Sequence, residues 1–213
     1  MVAINNRFGS KSTSINGPLS RLFSGSRNPR FLDLGSIASK LGPSSRIEYN
    51  KDAILKYTQI ELFQVVSDVN QYHKFLPWCT HSQIFENTRK SQNIVSTIRQ
   101  ANKATVEYTE VEAEMEVGFQ SVAEKYVSFV TMEKPWMVNA KALDGSIFKE
   151  LNSTWTLIPQ CLDTPKTLVK FHVDFEFKSP LYAALSQVAM ESVCQTMFKA
   201  FNDRCIEIYG YRP

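Results

Sequence analysis

The sequence predicts an α+β fold: a curved antiparallel sheet wrapped around one long C-terminal helix, with two short helices after the first strand. Three observations carry this. Residues 180–209 read as an unbroken helix with far more apolar girth than a narrow stripe requires. Residues 109–119 and 167–178 alternate apolar and polar side chains with period 2, the mark of strands with one buried and one wet face. The connections between the apolar runs are short, which implies antiparallel neighbours.

The first strand is expected over Glu48–Tyr57. Thr58-Gln59-Ile60-Glu61 is a capping box, in which Thr58 caps the third amide and Glu61 reaches back. The helix it starts places Leu62, Phe63 and Val66 on one face. Asp68-Val69-Asn70 breaks it, Asn70 caps a second short helix over Gln71–Leu76, and Pro77 ends that. Residues 88–105 are polar and irregular, and read as a loop or a poorly defined strand.

Val111, Ala113, Met115, Val117 and Phe119 point one way; Glu110, Glu112, Glu114 and Glu116 point the other. Tyr126–Glu133 is apolar on both parities, so its register cannot be read. Trp136, Val138, Ala140 and Ala142 alternate with polar neighbours up to the hairpin turn Asp144-Gly145. Phe148–Pro159 follows, with Leu151, Trp155 and Leu157 inward. After a turn over Gln160–Pro165, Val169, Phe171, Val173, Phe175 and Phe177 face inward on the last strand. The final helix has Ser179 as N-cap, Pro180 in its first turn and Gly210 as its stop. It spans ~43 Å at ~1.5 Å per residue. Leu185, Val188, Ala189, Val193, Met197, Ala200 and Phe201 make its main face; Met190, Cys194, Phe198 and Cys205 widen it.

Charge divides the chain at residue 46. Residues 1–46 hold seven basic side chains, one acid (Asp33) and eleven Ser/Thr, the composition of a mitochondrial transit peptide or a basic tail. Residues 47–213 carry 17 basic and 20 acidic side chains, which argues against general nucleic-acid binding. No apolar run is long enough for a secretory signal or a membrane-spanning helix. The four cysteines show no metal-ligand or Cys-x-x-Cys spacing, and read as free thiols.

Residues 67–79, Ser-Asp-Val-Asn-Gln-Tyr-His-Lys-Phe-Leu-Pro-Trp-Cys, closely resemble the mitochondrial coenzyme Q-binding proteins of the START-like (polyketide cyclase/dehydrase) superfamily. Weaker matches follow in the same order: Glu116–Phe119, Glu124–Tyr126, Lys134-Pro135, Asp144-Gly145, Phe148 and Val173–Phe177. The resemblance covers about residues 47–208; residues 88–105 depart from it, being longer and more polar. It implies a helix-grip (START-like, Bet v 1-like) fold over 47–209, preceded by a disordered transit peptide over 1–46. It implies a hydrophobic tunnel that binds ubiquinone and related polyprenyl lipids. It further implies support of ubiquinone synthesis and delivery to respiratory complexes, with peripheral contact at the matrix side of the inner mitochondrial membrane.

The residues expected to line the ligand site are Phe75, Leu76, Pro77, Trp78, Met115, Val117, Phe119, Trp136, Trp155, Phe171, Val173, Phe175, Phe177, Leu185, Val188 and Ala189. Composition alone leaves two readings of the inward aromatics, a packed core or the wall of a lipid site. The portal is expected at Phe75-Leu76-Pro77-Trp78, against the alternative that Trp78 folds inward as a plug. No cofactor, metal or catalytic residue is expected, and the protein is read as a binding protein rather than an enzyme. His172 and Asp174 share the outward face, the glutamates of 110–116 read as a solvated face, and Cys79 lacks an activating neighbour. Two other classes stay open: a ribosome- or protein-binding module, and a cyclase or dehydratase.

Overall fold

A computed structural model describes residues 46–95, 105–119, 122–145, 148–160, 165–178 and 180–212; the side chains of 119, 122, 144–145 and 180–190 are not described. The expected leader over 1–45 and part of the expected loop, 96–104, therefore lie outside the described residues.

Seven strands form one antiparallel sheet: β1 (Arg46–Leu55), β2 (Cys79–Val95), β3 (Thr105–Phe119), β4 (Val122–Lys134), β5 (Met137–Gly145), β6 (Phe148–Pro159) and β7 (Thr167–Phe177). Their order across the sheet is β1-β7-β6-β5-β4-β3-β2, so β1 and β2 are the free edges. The sheet curves, and its concave face meets α3 (Pro180–Tyr209), the long C-terminal helix.

The capping box forms in full. Thr58 Oγ1 accepts from the Glu61 amide at 3.2 Å and the Glu61 carboxylate accepts from the Thr58 amide at 2.8 Å, starting α1 (Gln59–Ser67). After a 3-10 turn over Val69–Gln71 comes α2 (Tyr72–Phe75), a single turn. Asn70 does not cap it: its Oδ1 accepts from the Ile84 amide on β2 at 2.7 Å, so the side chain ties the helical insert to the sheet.

One expectation resolves between its two readings and one needs correction. Residues 88–95 are the poorly defined strand and not the loop: they belong to β2, paired with β3 beyond an irregularity between Phe85 and Lys90. This stretch lies at a free edge with both faces wet, so pairing holds it and no alternation marks it. In the described part of α3 the buried stripe is Cys194, Phe198, Phe201 and Cys205, at steps of 4, 3 and 4 residues. Val193 and Met197, assigned to the main face, lie half-buried at its flank.

Candidate lipid-binding face

Strand register shows what the concave face offers. Inward residues fall into three layers. The first runs Thr109, Met132, Val138, Trp155 and Phe171 across β3, β4, β5, β6 and β7, and all are buried. The second is two rows deep: Val111, Val130, Ala140, Ser153 and Val173, then Ala113, Ser128 and Ala142, with Leu151 paired to Phe175. The third is Met115 paired to Tyr126 and Phe148 paired to Phe177. Inward positions on one strand are spaced by ~6.8 Å, and within the second layer Ala113, Ser128, Ala142, Ala140 and Ser153 form a diagonal belt of small side chains that steps two residues along β5.

The first layer is a plug. Trp155 stacks on Phe171 at 4.3 Å and on Phe198 of α3 at 5.8 Å, and Phe201 lies 4.6 Å from it. Tyr72 and Phe75 meet Phe201 edge-on at 5.2 Å, which locks the short helices to the same end. Leu157 and Val169 are fully buried beneath.

The opposite end is looser. Met115, Val117, Tyr126, Leu151, Phe148 and Phe177 are only half-buried, as are Ala140, Ala142 and Ser153 in the belt. The starts of β2, β4 and β6 and the ends of β3, β5 and β7 all gather at this end. Here Phe148 packs against Tyr126 at 5.7 Å and Phe177 at 5.1 Å, forming an aromatic rim.

The expected site residues distribute accordingly. Trp155 and Phe171 belong to the plug, Val173 and the fully buried Phe175 to the second layer beside the belt, and Met115, Val117 and Phe177 to the open end. Trp136 is buried in the β4–β5 turn, away from the open end and outside the main core cluster. The side chains of Phe119, Leu185, Val188 and Ala189 lie outside those described. Phe75 and Leu76 do not stand in a surface loop: Leu76 is buried, and Phe75 is clasped by Tyr72, Phe201 and the Arg204 guanidinium. The block ends a short helix before entering a turn, and the end of that helix, α2, packs inward.

Trp78 differs from its neighbours. It is half-buried, outside the core cluster, and held at φ 66°, a left-handed conformation that costs a side-chain-bearing residue ~1–2 kcal/mol. Pro77 and Trp78 are the central residues of a turn closed by the Cys79 amide on the Leu76 carbonyl at 3.3 Å. The Trp78 carbonyl accepts from the Gly118 amide at 2.7 Å, which sets the turn beside the end of β3 at the open end.

Polar groups near the belt have protein partners. Ser82 Oγ accepts from the His73 amide at 3.0 Å and lies 3.0 Å from His73 Nδ1. The Cys79 thiol donates to the His81 carbonyl at 3.3 Å, and burial pushes its pKa up to about 11, so it stays protonated at neutral pH. Burial likewise pushes the Cys194 thiol up to about 11 and the Cys205 thiol to about 12.

The outer face carries the remaining charge. His172 Nε2 lies 3.3 Å from Asp174 Oδ2, and Asp174 also takes Arg46 at 3.0 Å, in a network across β1, β7 and β6. Glu114 and Glu116 share Lys125 at 3.2 and 3.7 Å, and Glu107 pairs with Lys134 at 3.5 Å. Among the described residues no group of three His, Cys, Asp or Glu is placed to hold a metal ion. A crevice of about 140 Å³ between α1, α2 and the end of α3 is lined in part by Asp68, Gln71 and Arg204. It lies outside the concave face and is smaller than the ~300–1,000 Å³ usual for ligand pockets.

A family model described as polyketide cyclase/dehydrase and lipid transport matches residues 55–202. The chain belongs to this family. Its match spans the helical insert, all strands after β1 and most of α3, so it takes in all three layers. Relatives include the mitochondrial coenzyme Q-binding protein COQ10 homolog B of Xenopus laevis, 32% identical over 82% of this chain and 64% of that protein. COQ10 of Drosophila melanogaster is 31% identical over 72% of this chain and 56% of that protein, so the chain spans about three-fifths of these two relatives. The ribosome association toxin RatA of Escherichia coli is 24% identical over 78% of this chain and 90% of that protein. Among solved structures, a START superfamily protein of Mycobacterium smegmatis superimposes with TM-score 0.56 at 14% identity over 76% of this chain and 98% of that one, which shows the fold. An 18 kDa protein of Caulobacter crescentus reaches TM-score 0.56 at 27% identity, over 78% of this chain and 99% of that one.

Several contributors escaped sequence reading. Tyr126 and Ser128 lie on a strand apolar on both parities, where no inward face could be chosen. Ala113, Ala140, Ala142 and Ser153 were legible as inward positions, but their alignment into one belt needs the register.

Proposed function

We propose that the protein binds ubiquinone, and related polyprenyl lipids, in a tunnel over the small-residue belt, and carries them without chemical change. The observation that carries the reading is the belt itself: small side chains bounded by an aromatic plug at one end and a half-buried rim at the other. A packed core would fill that layer with large side chains. The coenzyme Q-binding relatives support the choice of lipid.

The tail dictates how such a carrier works. Each buried methylene is worth ~0.8 kcal/mol, so the lipid does not pass through water. It moves from a bilayer into the open end, past Trp78, whose ring suits the interface between headgroups and hydrocarbon. Exposed Lys74 stands near enough in sequence to meet anionic headgroups. No catalytic step belongs to this reading. Residues 1–46 act as the import signal, the carrier works peripherally on the matrix side of the inner membrane, and it supports ubiquinone synthesis and delivery to respiratory complexes.

The test is organic extraction of the purified protein, followed by chromatography and mass spectrometry. Ubiquinone in stoichiometric amount is expected. An empty protein, or a bound non-lipid metabolite, would overturn the reading. Co-sedimentation of a lipid-free protein with mitochondrial ribosomes would favour the function named for RatA instead. The excess of acidic over basic side chains in residues 47–213 opposes direct RNA contact.

A further inference from the structure

We propose that the Tyr126 hydroxyl is the hydrogen-bond donor that holds a ring carbonyl of the bound quinone. This rests on the ubiquinone reading and adds the group that would recognise the head rather than the tail. Two buried tyrosines give the comparison. The Tyr57 hydroxyl donates to the Gly210 carbonyl at 3.0 Å, and the Tyr72 hydroxyl to the Val66 carbonyl. Among the described residues the Tyr126 hydroxyl is placed to donate to the Met115 thioether alone, at 3.6 Å. A thioether is a weak acceptor, so this donor is under-used where it stands.

Its position suits a polar head on an apolar tail. Tyr126 is in the third layer, directly beside the belt, and its ring meets Phe148 edge-on at 5.7 Å. Nearby polar groups are already engaged, Ser82 with His73 and Cys79 with the His81 carbonyl. A quinone carbonyl is an acceptor with no proton to give, so it needs a donor, and a neutral phenol is one. Burial holds the Tyr126 phenol above its ordinary pKa, so it keeps its proton throughout the physiological range. A carbonyl oxygen entering from the open end would displace the thioether, exchanging a poor acceptor for a good one. Met115 is unbranched and can yield without disturbing its neighbours.

The test is the infrared carbonyl band of ubiquinone bound to the wild-type protein, compared with the same quinone in hexane. A downshifted band is expected, returning to the hexane position in Tyr126→Phe. That variant should bind ubiquinone roughly 2- to 12-fold more weakly, the span of one ordinary hydrogen bond. It should bind a polyprenyl hydrocarbon of equal length as the wild type does. An unshifted wild-type band, with ubiquinone bound, overturns the role of Tyr126 and leaves the carrier reading standing. Wild-type protein that binds neither ligand overturns both. The wild-type spectrum decides the matter even where the variant loses its fold.

Discussion

Replacing Ser153 by Leu separates a lipid chamber from a packed core by the sign of its effect. Ser153 points inward from β6, between Ala140 on β5 and Val173 on β7, and is half-buried. In a filled core, added carbons force neighbours off their rotamers and cost about 1–3 kcal/mol. In an open layer they gain contacts instead, at ~0.8 kcal/mol for each buried carbon. Leu brings four carbons beyond Cα against one in Ser, and part of its surface stays exposed, so the expected gain is about 1–2 kcal/mol. For a chain of this size that raises Tm by about 2–8 °C. The measurement is thermal unfolding of delipidated protein, because bound lipid would stabilise the wild type by mass action. The same variant should lose ubiquinone on extraction. A lower Tm with lipid retained would mean that the belt is ordinary packing, and would refute the chamber.

Three more outcomes follow from the same geometry. Trp78→Gly relieves a left-handed backbone that Trp78→Ala keeps, so the Gly variant should be about 1 kcal/mol the more stable of the two in denaturant titration. Both should bind anionic vesicles more weakly than wild type, and equal stabilities would remove the strain argument. Trp155→Ala should cost about 3–5 kcal/mol, as for a large buried aromatic in a core, while Phe148→Ala at the half-buried rim should cost less than half of that and weaken lipid retention. Arg212, by hydrogen bonds to Glu61 at 2.6 and 2.9 Å, holds that carboxyl below its ordinary 4.5. A lowered folded pKa gives stability that is present above 4.5 and lost as pH falls through the folded value. The Tm gap between wild type and Glu61→Gln should therefore shrink on acidification, and a constant gap would sink this assignment.

How much of this was legible depended on whether the signal was local. The capping box at Thr58, the alternation on β3 and β7 and the Gly210 stop are set by neighbours in sequence, and each stands where it was expected. The Gly210 amide closes α3 on the Ile206 carbonyl at 2.9 Å. Asn70 misled because its local partner, a helix amide, lost to a strand amide fourteen residues on. Residues 88–95 stayed open between loop and strand because a wet edge strand needs no apolar face. The belt was unreadable for a third reason. A small inward residue on one strand is unremarkable, and the diagonal cluster of Ala113, Ser128, Ala142, Ala140 and Ser153 exists only once register is known.

In the proposed carrier, the layering lets one sheet both hold the fold and leave room for a guest. A carrier spends part of its cycle empty, and an empty chamber contributes little apolar contact. Stability must then come from elsewhere, and here it comes from the plug. Tyr72, Trp155, Phe171, Phe198 and Phe201 join α2, the sheet and α3 at the end away from the opening. At the plug end the Tyr57 hydroxyl also binds the Gly210 carbonyl, tying the segment after β1 to the end of α3. β6 gives Trp155 to the plug and Ser153 to the belt two positions away, so the two roles lie ~6.8 Å apart on the same backbone. A one-residue shift in any of these strands would turn its whole inward set outward. The proposed chamber therefore depends on the same register that builds the core.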